Sequence, residues 1–263
     1  MVLLMERKLV VSISGKGGTG KTTLAALLLK WIIQNTGEIA LVVDADPATN
    51  LPDVLGVGVD RTVGQASKEI KDRIEKGTLS PTIPKKDVLE AQVFQTLIEE
   101  DRFDILAMGR SEGEGCYCFV NNILTRILDT LTKNYSVTLL DMEAGLEHLS
   151  RRTDRDVDAM IVVTDPSKMG FATARRIKEL TEEVHIDIKN IYLVGNRFPE
   201  GMEDALQKAA DDIGFELAGS IPVDDNVMSF NITGKPLLDI PDDSPAYKAV
   251  EEIAQRIGLD KLR

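Results

Sequence analysis

The sequence predicts an α/β fold, a mostly parallel central sheet with helices on both faces. Apolar runs of four to six residues, such as Leu9-Val10-Val11-Ser12-Ile13 and Val137-Thr138-Leu139-Leu140, read as strands buried on both sides. Longer segments with helical apolar spacing lie between them, and this alternation marks parallel strands joined by crossover helices. A glycine-rich loop separates the first run from the first helical segment, where a strand-turn-helix unit places it.

The elements follow in order. Leu9 to Ser14 is the first strand, and an apolar-periodic helix runs from about Lys21 to Gln34. Ile39 to Val43 is the second strand, with Asp44-Ala45-Asp46-Pro47 at its carboxyl end. Thr62 to Lys76 reads as a helix, Phe103 to Met108 as a strand, Phe119 to Lys133 as a helix and Val137 to Leu140 as a strand ending in Asp141. Ala159 to Thr164, Ile191 to Val194 and Glu216 to Ile221 are further strands. Helices are expected over Met169 to Val184, Met202 to Ile213 and Pro245 to Ile257. Residues 77–102 are the least regular stretch and read as an insertion. No repeat, linker or low-complexity tract divides the chain, so residues 1–263 are expected to form one domain.

Composition excludes several classes of protein. The 263 residues carry 31 basic and 43 acidic side chains, a net charge of −12. Such a surface repels phosphate backbones and anionic headgroups, so neither nucleic acid nor membrane is an expected partner. No apolar stretch reaches membrane-spanning length, and the first residues lack signal-peptide architecture, so a cytoplasmic protein is expected. Two cysteines, one residue apart, cannot make a disulfide framework.

Gly15-Lys16-Gly17-Gly18-Thr19-Gly20-Lys21-Thr22, followed by Thr23, meets the phosphate-loop pattern G-x-x-x-x-G-K-[ST]. Glycines let backbone N–H groups turn inward around phosphates, and the helix N-terminus adds partial positive charge. Lys21 is expected to reach the β and γ phosphates and Thr22 to ligate Mg²⁺. The pattern predicts an ATPase with ATP/ADP and Mg²⁺ as its cofactors. Acidic residues stand at the carboxyl ends of strands, the edge where ligands bind in open α/β sheets. A carboxylate at that edge, as in Asp44-Ala45-Asp46, can orient a water toward the γ-phosphate or support the metal's waters, and Asp141 is expected to hold Mg²⁺ through water. Gly145 gives a loop after Asp141 room to approach the phosphates.

Lys16, directly after the first glycine, is not required by the basic loop. With it, the segment resembles the deviant phosphate loop of the MinD/ParA/nitrogenase-iron-protein superfamily. The resemblance implies that Lys16 crosses a homodimer interface to the other subunit's nucleotide and acts in catalysis with Lys21 and Asp46, Asp46 orienting the water, and that Asn50 lies near the metal. It also implies that Asn196 and Arg197, then Pro222, Val223 and Asp224, surround the adenine.

Gly113-Glu114-Gly115-Cys116-Tyr117-Cys118 narrows the reading. Residues i and i+2 of an extended segment point to one side, so Cys116 and Cys118 can chelate one soft or borderline ion. Two thiolates leave Ni²⁺ or Zn²⁺ under-coordinated, whereas a symmetric dimer supplies four. Met108-Gly109-Arg110, the cysteine segment and Asp141-Met142-Glu143-Ala144-Gly145-Leu146-Glu147-His148-Leu149 together look like the nickel-insertion ATPases (CooC and AcsF type) that mature carbon monoxide dehydrogenase and acetyl-CoA synthase. Glu114 departs from that family, which commonly carries proline there. The resemblance implies a metallochaperone with one of those enzymes as client. His148 and Tyr117 read as a switch-helix surface residue and a packing residue.

Two other classes compete. A MinD/ParA-type positioning ATPase needs a basic surface or a basic amphipathic C-terminal helix, whereas Ala246 to Arg256 balances two bases against two acids. An iron–sulfur carrier of the nitrogenase-iron-protein kind needs a second, separated cysteine, which this chain lacks.

Overall fold

The computed structural model describes residues 8–78, 85–110, 130–143, 157–184 and 188–262. All its strands join one eight-stranded sheet: β1 (Leu9–Gly15), β2 (Ala40–Asp44), β3 (Ile98–Glu99), β4 (Phe103–Ala107), β5 (Val137–Asp141), β6 (Val157–Thr164), β7 (Ile188–Asn196) and β8 (Glu216–Ile221). Their order across the sheet is β3-β4-β2-β5-β1-β6-β7-β8, and every pairing is parallel except β3 with β4. β1 lies between β5 and β6, so the loop leaving its carboxyl end emerges from the middle of the sheet.

Successive strand residues point to opposite faces, and two cores form accordingly. Val11 and Ile13, Val42 and Leu139 pack with α1 (Lys21–Asn35), α2 (Leu51–Leu55) and the last helix. Val10, Leu41, Val43 and Leu140 pack on the other face with α3 (Val63–Glu75) and α4 (Lys85–Phe94). The same face carries α5 (Lys168–Val184) and α6 (Glu203–Ile213). The chain closes with α7 (Asp225–Thr233) and α8 (Pro245–Arg256).

α1 is apolar nearly all round, with Leu24 through Leu29, Trp31 and Ile32 buried, because it lies between the sheet and α8 rather than on the surface. Each buried leucine contributes roughly 1.5–3 kcal/mol, so α1 holds the phosphate loop on a stiff base. α3 starts at a capping box: the Thr62 hydroxyl accepts from the Gln65 N–H, and the Gln65 side chain accepts from the Thr62 N–H.

The described part of the stretch 77–102, read from the sequence as the least regular, carries regular structure. It includes α4 and the short edge strand β3, whose Ile98 pairs antiparallel with Ile105. α4 mixes apolar and charged residues without a clear stripe, and β3 has only two residues, so neither carries a periodic signal. α2 and α7 were also hidden from periodicity. The first is a single turn, and the second has no fully buried residue. The helix expected over Phe119 to Lys133 lies almost wholly outside the described residues.

Candidate nucleotide site

The phosphate loop joins β1 to α1 in conformations that its glycines permit. Gly20 has φ +95°, and a Cβ there would lie 2.1 Å from Asn196 Nδ2. Both the backbone angle and the close approach require glycine. Within the loop, the Thr19 N–H and hydroxyl both donate to the Lys16 carbonyl, at 3.2 and 2.8 Å. Two side chains from the end of β7 fasten the loop from outside. Asn196 Nδ2 donates to Thr19 O at 2.7 Å, and Arg197 Nη2 donates to Gly18 O at 2.6 Å.

A cavity of about 510 Å³ opens over this loop. Gly17, Gly18, Gly20, Lys21, Thr22 and Thr23 line it, together with Asp46 and Asn50. Asn196, Arg197, Pro222, Val223 and Asp224 line it as well. Gly15, Thr19 and Lys16 do not line it. Gly15 is a buried strand end and Thr19 faces inward. The Lys16 ammonium lies 3.5 Å from Asp165 Oδ2. α7 adds Val227, Met228 and Asn231, which sequence reasoning missed. A helix-capping aspartate at 224 and the glycine at 234 were the signals that could have found α7.

Behind the loop, Asp44 and Asp141 are register partners on adjacent strands, both fully buried. Asp44 Oδ1 accepts from the Asp46 N–H at 3.0 Å and Oδ2 from the Leu51 N–H at 2.9 Å, so this carboxylate shapes the loop that presents Asp46. Burial pushes its pKa up to about 7; the Leu51 N–H opposes the rise and the Asp141 charge adds to it. Burial likewise raises Asp141 to about 6 against a hydrogen bond from Thr22 and the charge of Lys21. Asp141 Oδ1 is buried and has no hydrogen-bond partner among the described residues. An orphaned acidic oxygen beside a threonine hydroxyl and a lysine suits a hydrated divalent cation, so these residues fit Mg²⁺. Asp46 Oδ1 accepts from the Ala48 N–H at 2.8 Å, a local turn that holds the carboxylate at the cavity.

Asp224 also has a structural role. Its Oδ1 accepts from the Asn226 N–H at 2.7 Å, and its Oδ2 accepts from the Ser244 hydroxyl and the Ala246 N–H. The side chain caps α7 and ties it to α8. Burial would raise its pKa, but the Ser244, Ala246 and Asn226 donors outweigh that and bring it below the usual carboxylate range. Asn196 is similarly engaged with the loop carbonyl. Cys116, Cys118, Gly145, His148 and His185 lie outside the described residues. Among the described residues, no cluster of metal-ligating side chains occurs, and no helix is long and apolar enough to cross a membrane.

A family model for the CobQ/CobB/MinD/ParA nucleotide binding domain matches residues 10–237. An uncharacterized ATP-binding protein of Methanocaldococcus jannaschii is 45% identical over 249 residues, covering 95% of this chain and 98% of its own length. The carbon monoxide dehydrogenase accessory protein CooC of Rhodospirillum rubrum is 28% identical, covering 94% of this chain and 97% of its own. The septum site-determining protein MinD of Thermotoga maritima is 26% identical, covering 94% of this chain and 87% of its own. Among solved structures, MinD of Pyrococcus horikoshii complexed with Mg-ADP superposes with a TM-score of 0.68 at 21% identity. That likeness covers 96% of this chain and 98% of the other and concerns the fold.

Proposed function

We propose a metal-handling task for this chain, which belongs to the CobQ/CobB/MinD/ParA nucleotide-binding family and is an ATP-binding ATPase of that type. In this reading it is a nickel-insertion accessory protein for carbon monoxide dehydrogenase or acetyl-CoA synthase. It works as an ATP-controlled homodimer, with the Cys116/Cys118 pairs of two copies holding Ni²⁺ or Zn²⁺ between them. The observation that carries it is the Cys116-Tyr117-Cys118 segment, in a chain similar along 94% of its length to a carbon monoxide dehydrogenase accessory protein.

The nucleotide roles follow from the cavity. Backbone N–H groups of Gly17 to Thr22 and the Lys21 ammonium would bind the phosphates. Thr22 and Asp141 would hold Mg²⁺, with Asp44 supporting its waters, and the bound ion would neutralise charge on the β and γ phosphates. Asp46 would orient the attacking water, and Lys16 of the second copy would complete the charge stabilisation. The cavity lining combines the apolar Val223 and Met228 with the polar Asn196 and Arg197, a mixture that suits a flat base.

The chain leading to the cysteines begins at a point coupled to this site. The Met108 N–H donates to Asp44 O at 2.9 Å, and the Gly64 N–H donates to Met108 O at 2.8 Å. A shift of the Asp44–Leu51 loop would therefore be felt at residues 108–110, eight residues or fewer from Cys116. The test is metal content per dimer and nickel-dependent dimerisation for wild type and Cys116→Ser/Cys118→Ser. The expected result is loss of both with ATP hydrolysis retained. Unchanged stoichiometric nickel in the double variant sinks the assignment.

A positioning role of the MinD kind is favoured by similarity to MinD at comparable identity and coverage. The arrangement of α8 speaks against it. Its apolar residues Ala246, Tyr247, Val250, Ile253 and Ala254 are buried in the core and leave no apolar face for lipid.

A further inference from the structure

Lys16 is held on its own chain by a carboxylate that the nucleotide chemistry does not use. Asp165 follows β6, the neighbour of β1, so the sheet itself sets the two backbones side by side. Its Oδ1 accepts from both the N–H and the hydroxyl of Ser167, which leaves Oδ2 facing Lys16 Nζ at 3.5 Å. Gly170 closes the rear of the carboxylate, since a Cβ there would lie 2.4 Å from Oδ1. Asp165 is therefore the fixed partner, 17% exposed, and Lys16 the movable one, 37% exposed. In this arrangement Lys16 stays out of the cavity wall. Just beyond, at the start of α5, the apolar side chain of Met169 is 61% exposed.

We propose that Asp165 is a positioning residue that parks Lys16 on its own chain, and that a second nucleotide-loaded copy must draw the lysine away before the composite site forms. This rests on the dimer reading above. The parked pair sets a threshold. A long, partly exposed ion pair is easily exchanged for a stronger one, and a bound triphosphate offers several negative charges to one ammonium. Each dimer breaks two such pairs, so their effects multiply. The Ser167 donors keep Asp165 charged, with its pKa held low although burial would raise it.

The experiment measures ATPase activity per chain against protein concentration, and dimer formation by sedimentation velocity with a non-hydrolysable ATP analogue. The variants are wild type, Asp165→Asn, Lys16→Ala and the double variant. Asparagine keeps the acceptor for Ser167 but removes the charge facing Lys16. Wild-type activity should rise with concentration to a plateau. Asp165→Asn should reach half-plateau at a concentration lower by roughly threefold to tenfold, from two pairs of modest strength. In the Lys16→Ala background, Asp165→Asn should leave the dimerisation midpoint unmoved. Wild-type activity independent of concentration overturns the dimer reading and the parked lysine with it. Concentration dependence with an unchanged or raised midpoint in Asp165→Asn overturns the parking alone. Equal shifts in both backgrounds, the mark of a merely structural role, overturn it too.

Discussion

At the scale of the residue, Asp224 shows how a binding-loop position can be structural. Its two oxygens take the Asn226 N–H, the Ser244 hydroxyl and the Ala246 N–H. Asparagine can replace one acceptor oxygen but not both, so Asp224→Asn leaves donors unpaired and should cost about 2 kcal/mol in urea unfolding. The pH dependence has a definite sign. The folded pKa lies below the ordinary 3.8, so the stabilisation is fully present above that pH and is lost as pH falls through the folded value. The stability gap between wild type and variant should therefore be constant near neutrality and close below pH 3.8. A gap that persists undiminished in acid would show that charge plays no part in the cap.

At the scale of the element, α1 is tied to the C-terminal segment by one buried cation. Lys30 Nζ donates to the Leu238 and Ile240 carbonyls at 3.2 and 2.5 Å and lies 4.9 Å from the centre of the Tyr247 ring. The same ammonium pairs with Asp242, which is exposed and adds little. Lys30→Met keeps the stem's volume but leaves two carbonyls without their donor. It should lower stability by about 2 kcal/mol, or roughly 5 °C in melting temperature. Nucleotide binding at low temperature should survive, because the phosphate loop sits at the opposite end of α1 from Lys30's neighbours in the C-terminal segment. Unchanged melting would mean that water replaces the ammonium and that the tie is not structural.

At the scale of the whole molecule, charge and packing agree. The net charge is −12, and α8 spends its apolar residues on the core. Cosedimentation with anionic vesicles at physiological salt should stay at background with ATP as without it. ATP-dependent pelleting would restore the positioning role. Most strands were readable from the sequence because the central ones are buried on both faces and so are continuously apolar. The edge escaped: β3 pairs through two residues, and α4 and α7 owe their places to neighbours rather than to an apolar stripe. The acidic residue after β6 was also readable in principle. Thr164-Asp165-Pro166 repeats the acid-proline pattern that singled out Asp46-Pro47.

The phosphate loop was determined by the sequence alone, because its chemistry is local. Glycine conformations, a lysine, a threonine and a helix start within nine residues suffice to cradle phosphates. Tertiary structure decided what surrounds it. Asn196 and Arg197 fasten the loop, Asp224 caps α7, and Lys16 meets Asp165 across 149 residues of chain. Those pairings depend on which strands lie side by side, and the β1–β6 neighbourhood is set by the packing of the whole sheet rather than by any segment of it.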